Sequence, residues 1–344
     1  MIWTTWRQHR AEAGVGVALL IVAVGGLVAV GERARQRAQG LGLPACVRAG
    51  GDCSKALDGL HRDFHSIPPF TGLLIAVPLL AGMFWAAPLV SREYEAGTHR
   101  LAWSQSVGPR RWLLTKIALV FGTVSAASLA VGLLATWALD PLSPAFGGRY
   151  NSTWFDIQGV VPLACMLFAL AAGLLASVAI RRTIPAMAVT LVVYAAARIP
   201  MHWLRVHFAA PSTVSQSKPM SALLDDVLGS PRDLFDSSAP AGSLVRSSTV
   251  TVKPSGAAVS SNTSTIDLFR HYCPTLHVTR SGGSINVANA DSCRATVHDL
   301  SLQATTHFLP PSRFWLLQSI ELVLFAGVAI ALAVAAVLLV SRRS

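Results

Sequence analysis

Residues 159–201 read GVVPLACMLFALAAGLLASVAIRRTIPAMAVTLVVYAAARIPM, two long apolar runs divided by one pair of arginines, Arg181 and Arg182. Each run is about the length an α-helix needs to cross roughly 30 Å of hydrocarbon at about 1.5 Å per residue. Lipid offers the backbone no hydrogen-bond partner, so runs of this length are read as helices, which satisfy their own polar groups. Working outward, comparable runs occupy 14–30, 70–90, 114–139 and 316–340, which with 159–180 and 184–201 makes six. A buried core helix would explain one such run but not six. Composition agrees, with 52% apolar residues, 13% charged residues and a mean hydropathy of +0.50 over 344 residues, values that exclude a soluble enzyme. The expected fold class is an all-α polytopic membrane protein of six transmembrane helices, with a β-rich extracytoplasmic domain inserted between the fifth and sixth.

The first run follows the basic stretch MIWTTWRQHR. It is longer than the apolar core of a secretory signal and lacks a small-x-small cleavage site, so it reads as a retained span. Residues 1–13 are expected to form an amphipathic interfacial helix ahead of it. Orientation follows from Lys and Arg in short loops, which stay on the cytoplasmic side. Arg7 and Arg10, then Arg92, Arg100, Arg110, Arg111 and Lys116, then Arg181 and Arg182, and finally Arg342 and Arg343 all fall on one side if both termini are cytoplasmic. The opposite short loop, 140–158, holds only Arg149. Arg33, Arg35 and Arg37 break the pattern, because they follow the first span on the side assigned to the exterior. The chain is thus expected in the plasma membrane, as a multi-pass protein.

Two segments interrupt the apolar pattern. Residues 202–315 are too long for a bundle loop and should form a domain of their own, leaving 316–344 as the sixth span and a basic tail. Its β-favouring runs lie at 244–252, 276–279, 284–287 and 295–302, with a Ser/Thr-rich flexible stretch over 243–264. The exterior loop 31–69 has helical character near 56–64. The five cysteines sort with this topology. Cys46 and Cys53 share the first exterior loop, Cys273 and Cys293 share the inserted domain, and Cys165 lies alone in the fourth span. Paired cysteines in an oxidising exterior are expected to form disulfides.

Motifs for chemistry of its own are missing. No G-x-x-x-x-G-K-[ST] occurs, and the chain has four lysines in all, so no ATP site or other cofactor site is expected. His271, Cys273, His277, Cys293 and His298 fit no standard zinc spacing. The sequons at Asn151 and Asn262 carry no weight, since the pattern is common by chance. The net charge of +11 is spread along the membrane borders and does not form a nucleic-acid face. Arg198 and Glu321 are ionisable residues inside apolar spans, where charges are costly and usually paired. The fifth span runs outward and the sixth inward, which puts the two at matching depth, and an intramembrane ion pair is expected.

The second informative stretch is 90–116, VSREYEAGTHRLAWSQSVGPRRWLLTK. Gly97 can end the helix leaving the second span, Thr98 can cap a new short helix, and Gly108-Pro109 can start the third span. The piece between, about 13 Å long, would lie along the membrane surface and present Leu101 and Trp103. Here the sequence resembles the permease subunits of type-2 ABC transporters, which carry E-x-E-x-G-T, then a basic segment and a Lys before the third span. Glu93, Glu95, Gly97 and Thr98 match the first part, and Arg110, Arg111 and Lys116 the rest. The Arg-x-x-Arg at Arg7 and Arg10 and the Ser312-Arg313-Phe314-Trp315 segment are similar to a subgroup common in actinobacteria. The resemblance implies that the cytoplasmic loop 91–113 is a coupling helix docked on a separate ABC ATPase subunit, which binds the ATP. Glu93, Glu95, Gly97, Thr98, Arg100, Leu101 and Trp103 would be the coupling residues. It also implies a second permease copy as partner and an exported substrate. The large inserted domain departs from the family pattern, where that connection is a short helical hairpin. The alternative reading is a membrane-anchored receptor or immunity protein whose extracytoplasmic domain binds a ligand.

Overall fold

A computed structural model describes residues 2–49, 53–97, 108–221, 239–240, 242–260, 263–281 and 284–343. Among them six helices are long and apolar enough to cross a membrane: Gly14–Gly40, Phe70–Glu95, Arg110–Phe146, Val161–Ile180, Thr183–His207 and Pro311–Arg342. The chain divides into two compact units, Met1–Phe208 with Ser312–Ser344, and Ala209–Pro311. All six spans belong to the first unit, and a four-stranded antiparallel sheet belongs to the second, between the fifth and sixth spans.

The fourth span is the hub of the helical unit, with 72% of its apolar window buried against 11% for the first span. Apolar surface gains little by leaving lipid for a neighbouring helix, so span contacts rest on close fit, which small side chains permit. The fourth span supplies Ala164, Ala169, Ala171, Ala172, Gly173 and Ala176, all buried. The second span crosses it at glycines: a Cβ on Gly173 would lie 2.5 Å from the Gly82 carbonyl oxygen, and one on Gly82 would lie 2.6 Å from that of Ala169. At this crossing the second span widens into a π-helix, Gly82–Ala86. Pro88 has no amide proton and its ring crowds the preceding turn, and the Ala87 amide reaches back five residues to the Gly82 carbonyl at 2.9 Å.

The expected surface helix 1–13 and the first span run as one helix, Ile2–Gly40, of 39 residues and about 58 Å. Its far end accounts for two of the three arginines that break the charge pattern. The Arg35 guanidinium donates to the Trp137 carbonyl at 2.6 Å and to the Gly31 carbonyl at 3.0 Å, and lies 3.8 Å over the Trp137 ring. It therefore satisfies a carbonyl in the last turn of the helix Pro109–Leu139, where backbone acceptors lack partners and a cation is favoured. Arg37 pairs with Asp63 at 2.5 Å on the following helix, Ser54–Phe64. That helix buries Leu60 among Leu139, Leu142, Phe146 and Trp154, and a Cys46–Cys53 disulfide closes the connection before it.

The fifth span continues past the apolar run, as helix Thr183–Leu204 followed by a 3-10 turn Arg205–His207. Hydropathy ends the span near 201 because Arg205 is charged, but Arg205 is buried with carboxylate partners and the helix proceeds through it.

In the second unit, strands β1 (Ser212–Pro219), β2 (Leu244–Lys253), β3 (Ala257–Val259) and β6 (Ser301–Leu309) form a sheet in the order β1-β6-β2-β3, while β4 (His277–Ser281) and β5 (Ser284–Ala288) pair separately. The central strand β6 buries Leu302, Ala304, Thr306 and Phe308 in alternation, the period-two pattern of a sheet covered on one face. Ala304 stands opposite Val250, and Leu302 opposite Val252. Helix Thr265–Tyr272 packs Leu268 and Phe269 into the same core, and the Cys273–Cys293 disulfide, Cα–Cα 5.5 Å, ties its end to helix Ala290–Thr296. The run 295–302, which favours strand by composition, is instead divided between that helix, a turn and the start of β6.

Candidate functional site

The flanks of the loop 91–113 are fastened to the bundle by three groups from the end of the second span. Helix Pro88–Glu95 ends at Ala96, and Gly97 takes φ +70°, a left-handed value that an L side chain reaches only with strain. On the far side Gly108 is extended and Pro109 is the first residue of the next helix, where a missing amide proton costs nothing. Thr98, Arg100, Leu101 and Trp103 lie outside the described residues.

Glu93 forms an ion pair with Lys116, so the residues that precede and follow the loop are joined at its base. Lys116 is 4% exposed, donates also to the Leu89 carbonyl at 3.2 Å, and lies 4.6 Å over the Trp112 ring. Glu95 points along the bundle to the start of the fifth span. Its carboxylate accepts from the Thr183 amide at 2.9 Å and from the Thr183 hydroxyl at 2.8 Å. First-turn amides of a helix have no partner of their own, and a negative charge there is favoured by the helix dipole, so Glu95 caps the fifth span from another helix. Ser91, a turn before Glu95, donates its amide to the Ser177 hydroxyl at 2.7 Å and stands 3.0 Å from the Thr183 hydroxyl. Arg181, at φ +59° in the turn between the fourth and fifth spans, lies 5.0 Å over the Tyr94 ring. The second, third, fourth and fifth spans thus meet around six short side-chain contacts.

A second polar assembly lies at the other end of the fifth span. Arg198 pairs with Glu321 at 3.3 Å and with Asp156. Arg205 pairs with the same two acids, 2.5 Å to each. The four side chains form a closed ring in which every arginine touches both carboxylates, and all are 10% exposed or less. Charges removed from water are tolerated when each is paired and hydrogen-bonded, which alternation around a ring achieves with no net charge. Arg205 also stacks 3.9 Å over Phe155. One turn before Glu321, the Gln318 carboxamide accepts from the Val160 and Val161 amides at 2.9 and 3.0 Å and donates to the Phe155 carbonyl at 3.1 Å. Gln318 therefore caps the fourth span from the sixth. Gly159, at φ +62°, makes this possible, since a Cβ there would lie 2.6 Å from the Gln318 oxygen.

Of the residues singled out in the sequence, the structure brings Arg198 to Glu321 and joins Cys46 to Cys53 and Cys273 to Cys293, while Cys165 is a buried free thiol. Both thiolates of the apparent His/Cys cluster are consumed by one disulfide. Glu93 and Glu95 are bound within the chain. Sequence reasoning missed Asp156, Arg205, Thr183 and Gln318. A signal existed for Arg205, which follows Arg198 by seven residues and so shares its helix face, and for Gln318, three residues before Glu321. Asp156 sits in a short connecting helix, Ser152–Ile157, and carries no pattern of its own.

The family model for ABC-2 membrane transporter related proteins matches residues 17–205, more than half of the chain. The chain belongs to this family. No curated protein and no solved structure matches it. The segment matched to the ABC-2 related family runs from within the first span to near the end of the fifth and includes the loop between the second and third, with Glu93, Glu95, Lys116, Thr183, Arg198 and Arg205. Glu321 and Gln318, on the sixth span, fall outside it, as does the second compact unit.

Proposed function

We propose that this ABC-2 related protein is the permease subunit of a transporter, exporting its substrate with energy from a separate ATPase subunit that docks on the cytoplasmic loop 91–113. The observation that carries the reading is the fastening of that loop's flanks. A loop that only reverses the chain needs no such base, whereas one that passes displacement to the spans must be stiff where it meets them. The Glu93–Lys116 pair and the Glu95 cap on Thr183 supply that stiffness. They also revise the roles of the two acids. Glu93 and Glu95 hold the loop's base inside the chain, so contact with the ATPase would fall to residues of the loop itself, Thr98, Arg100, Leu101 and Trp103 among them. The complex would hold a second permease copy and two ATPase subunits in the plasma membrane, with both termini cytoplasmic, the inserted unit outside, and ATP bound by the partner. Within the family, the Arg7-x-x-Arg10 pair and the Ser312-Arg313-Phe314-Trp315 segment support the actinobacterial-like subgroup that the sequence resembles.

The test is purification of the tagged chain from native membranes after mild cross-linking, with mass spectrometry and an ATPase assay. A P-loop protein in near-equal amount, whose recovery drops in a Trp103→Ala/Leu101→Ala variant, is the expected result. Recovery of the chain without any P-loop protein would overturn the reading.

A further inference from the structure

The fifth span is held at both ends by carboxylate contacts, while among the described residues its middle is held by packing against the fourth span and a Tyr194–Cys165 side-chain hydrogen bond. At the start, the Thr183 amide and hydroxyl are bound by Glu95 of the second span. At the finish, Arg198 and Arg205 are bound by Asp156 and by Glu321 of the sixth span. About 33 Å of helix separates Thr183 from Arg205 at 1.5 Å per residue. Much of the face between is open, with Ile184, Val192 and Ile199 each more than 60% exposed.

One defect interrupts this helix. Pro200 lies within it, and a proline there donates no hydrogen bond to the carbonyl four residues back and crowds that turn, so the helix is weakest just before its far end. The two arginines straddle the defect, Arg198 before it and Arg205 after it, and both bind the same two carboxylates. The ring therefore bridges Pro200 from the side.

We infer that Asp156, Arg198, Arg205 and Glu321 are positioning residues that make the fifth span a continuous connecting rod, so that release of its near end at Glu95 and release of its far end at the ring are one coupled event. The purpose assigned to the rod rests on the coupling function proposed above: displacement of the loop base would reach the turns next to the inserted unit through the fifth span. Coupling between the two ends is a property of the chain alone. It is measured without any ATPase, so its failure is distinct from failure of the transporter reading.

Energetic coupling between two sites is reciprocal, which a purely local structural role does not produce. Hydrogen exchange by mass spectrometry on the full chain in lipid nanodiscs reads the opening of the two end turns, 183–188 and 203–208. Glu95→Ala should speed exchange at 183–188 and also at 203–208, the latter by about fivefold or more, the lower end of usual coupling strengths. Asp156→Asn should do the converse, speeding exchange at 183–188 as well as at its own end. Arg37→Ala, which breaks an exposed pair on the first span, should change neither turn. A chain in which the ring is replaced whole by Asp156→Leu, Arg198→Met, Arg205→Met and Glu321→Leu tests the same idea should Asp156→Asn fail to fold. In that background Glu95→Ala should no longer reach 203–208. If each substitution speeds exchange at its own end alone, or if the apolar ring leaves the long-range effect intact, the inference is wrong.

Discussion

Glu95 reaches Thr183 across 88 positions of sequence, and the bond is worth more for where it acts than for its strength, because an exposed carboxylate contributes little to folding. Buried charges follow a different rule. Removing one member of a paired set strands its partner in a low-dielectric site at a cost of about 3–5 kcal/mol, whereas replacing the whole set by apolar groups of similar size is close to neutral. Glu321 is fully buried between two arginines, so Glu321→Gln should lower thermal stability in detergent by an amount in that range, and the fourfold apolar replacement should restore most of it. Equal losses for the single and fourfold variants would show that the ring is not acting as a unit. Gly159 offers a sharper case, since its φ of +62° and the Gln318 oxygen 2.6 Å from a would-be Cβ oppose any side chain. Gly159→Ala should lose about 1–2 kcal/mol from backbone strain alone, more if the Gln318 cap also breaks, read as a drop in Tm. At this scale the sequence was partly legible. Arg198 and Glu321 stand out as charges among apolar neighbours, but Asp156 and Gln318 are ordinary polar residues near span ends, and only the packing of three helices gives them partners.

Elements were the legible scale for the membrane unit, because a span is written in one local property, an apolar run of sufficient length. The six runs and the six helices coincide in number, and their ends differ where a charged residue is buried, as at Arg205, or where a helix outlasts the hydrocarbon, as after Val30. The second unit was less so. β1 is a string of Ser, Thr, Gln and Lys with Val214 and a closing Pro219, and becomes a strand only by pairing along its length with β6. Span crossings are likewise set by pairs of elements. Gly173→Ala would bring a Cβ to 2.5 Å from the Gly82 carbonyl oxygen and 2.9 Å from the Ala86 Cβ, neither of which can swing aside, so the spans must part. We expect a loss of about 1–3 kcal/mol, the usual cost of overpacking, seen as a lower Tm and reduced yield of folded protein. Gly97 differs, because no described residue lies within 4 Å of a Cβ built there and its φ of +70° is what opposes a side chain. Gly97→Val should leave folding within about 2 kcal/mol of the wild type while re-aiming the loop. Normal insertion with lost ATPase recovery is the expected pattern, and unchanged recovery would separate the break from coupling.

Orientation belongs to the whole molecule, because no single loop fixes it. Basic residues concentrate at the ends of the spans joined by 91–113 and by Arg181 and Arg182, which argues for those ends in the cytoplasm. Arg35 and Arg37 do not weigh against it once their roles are known, since one satisfies the end of a helix and the other pairs with Asp63. The lysines allow a direct test, because the chain has only four. Lys55 precedes the second span and Lys253 lies in the second unit, both exposed, while Lys116 is buried on Glu93. A sulfonated amine-reactive ester cannot cross the membrane. Applied to intact cells, it should modify Lys55 and Lys253 and spare Lys116, and permeabilising the cells should add little at the first two. Both connections that carry the exposed lysines must lie outside for this to happen, so the two sites check each other. Modification of Lys253 without Lys55 would mean that one of the second to fifth spans, which separate the two lysines, does not cross. Modification of neither until the membrane is opened would invert the chain, place the inserted unit in the cytoplasm, and leave the loop 91–113 on the side where no ATP-driven partner could reach it.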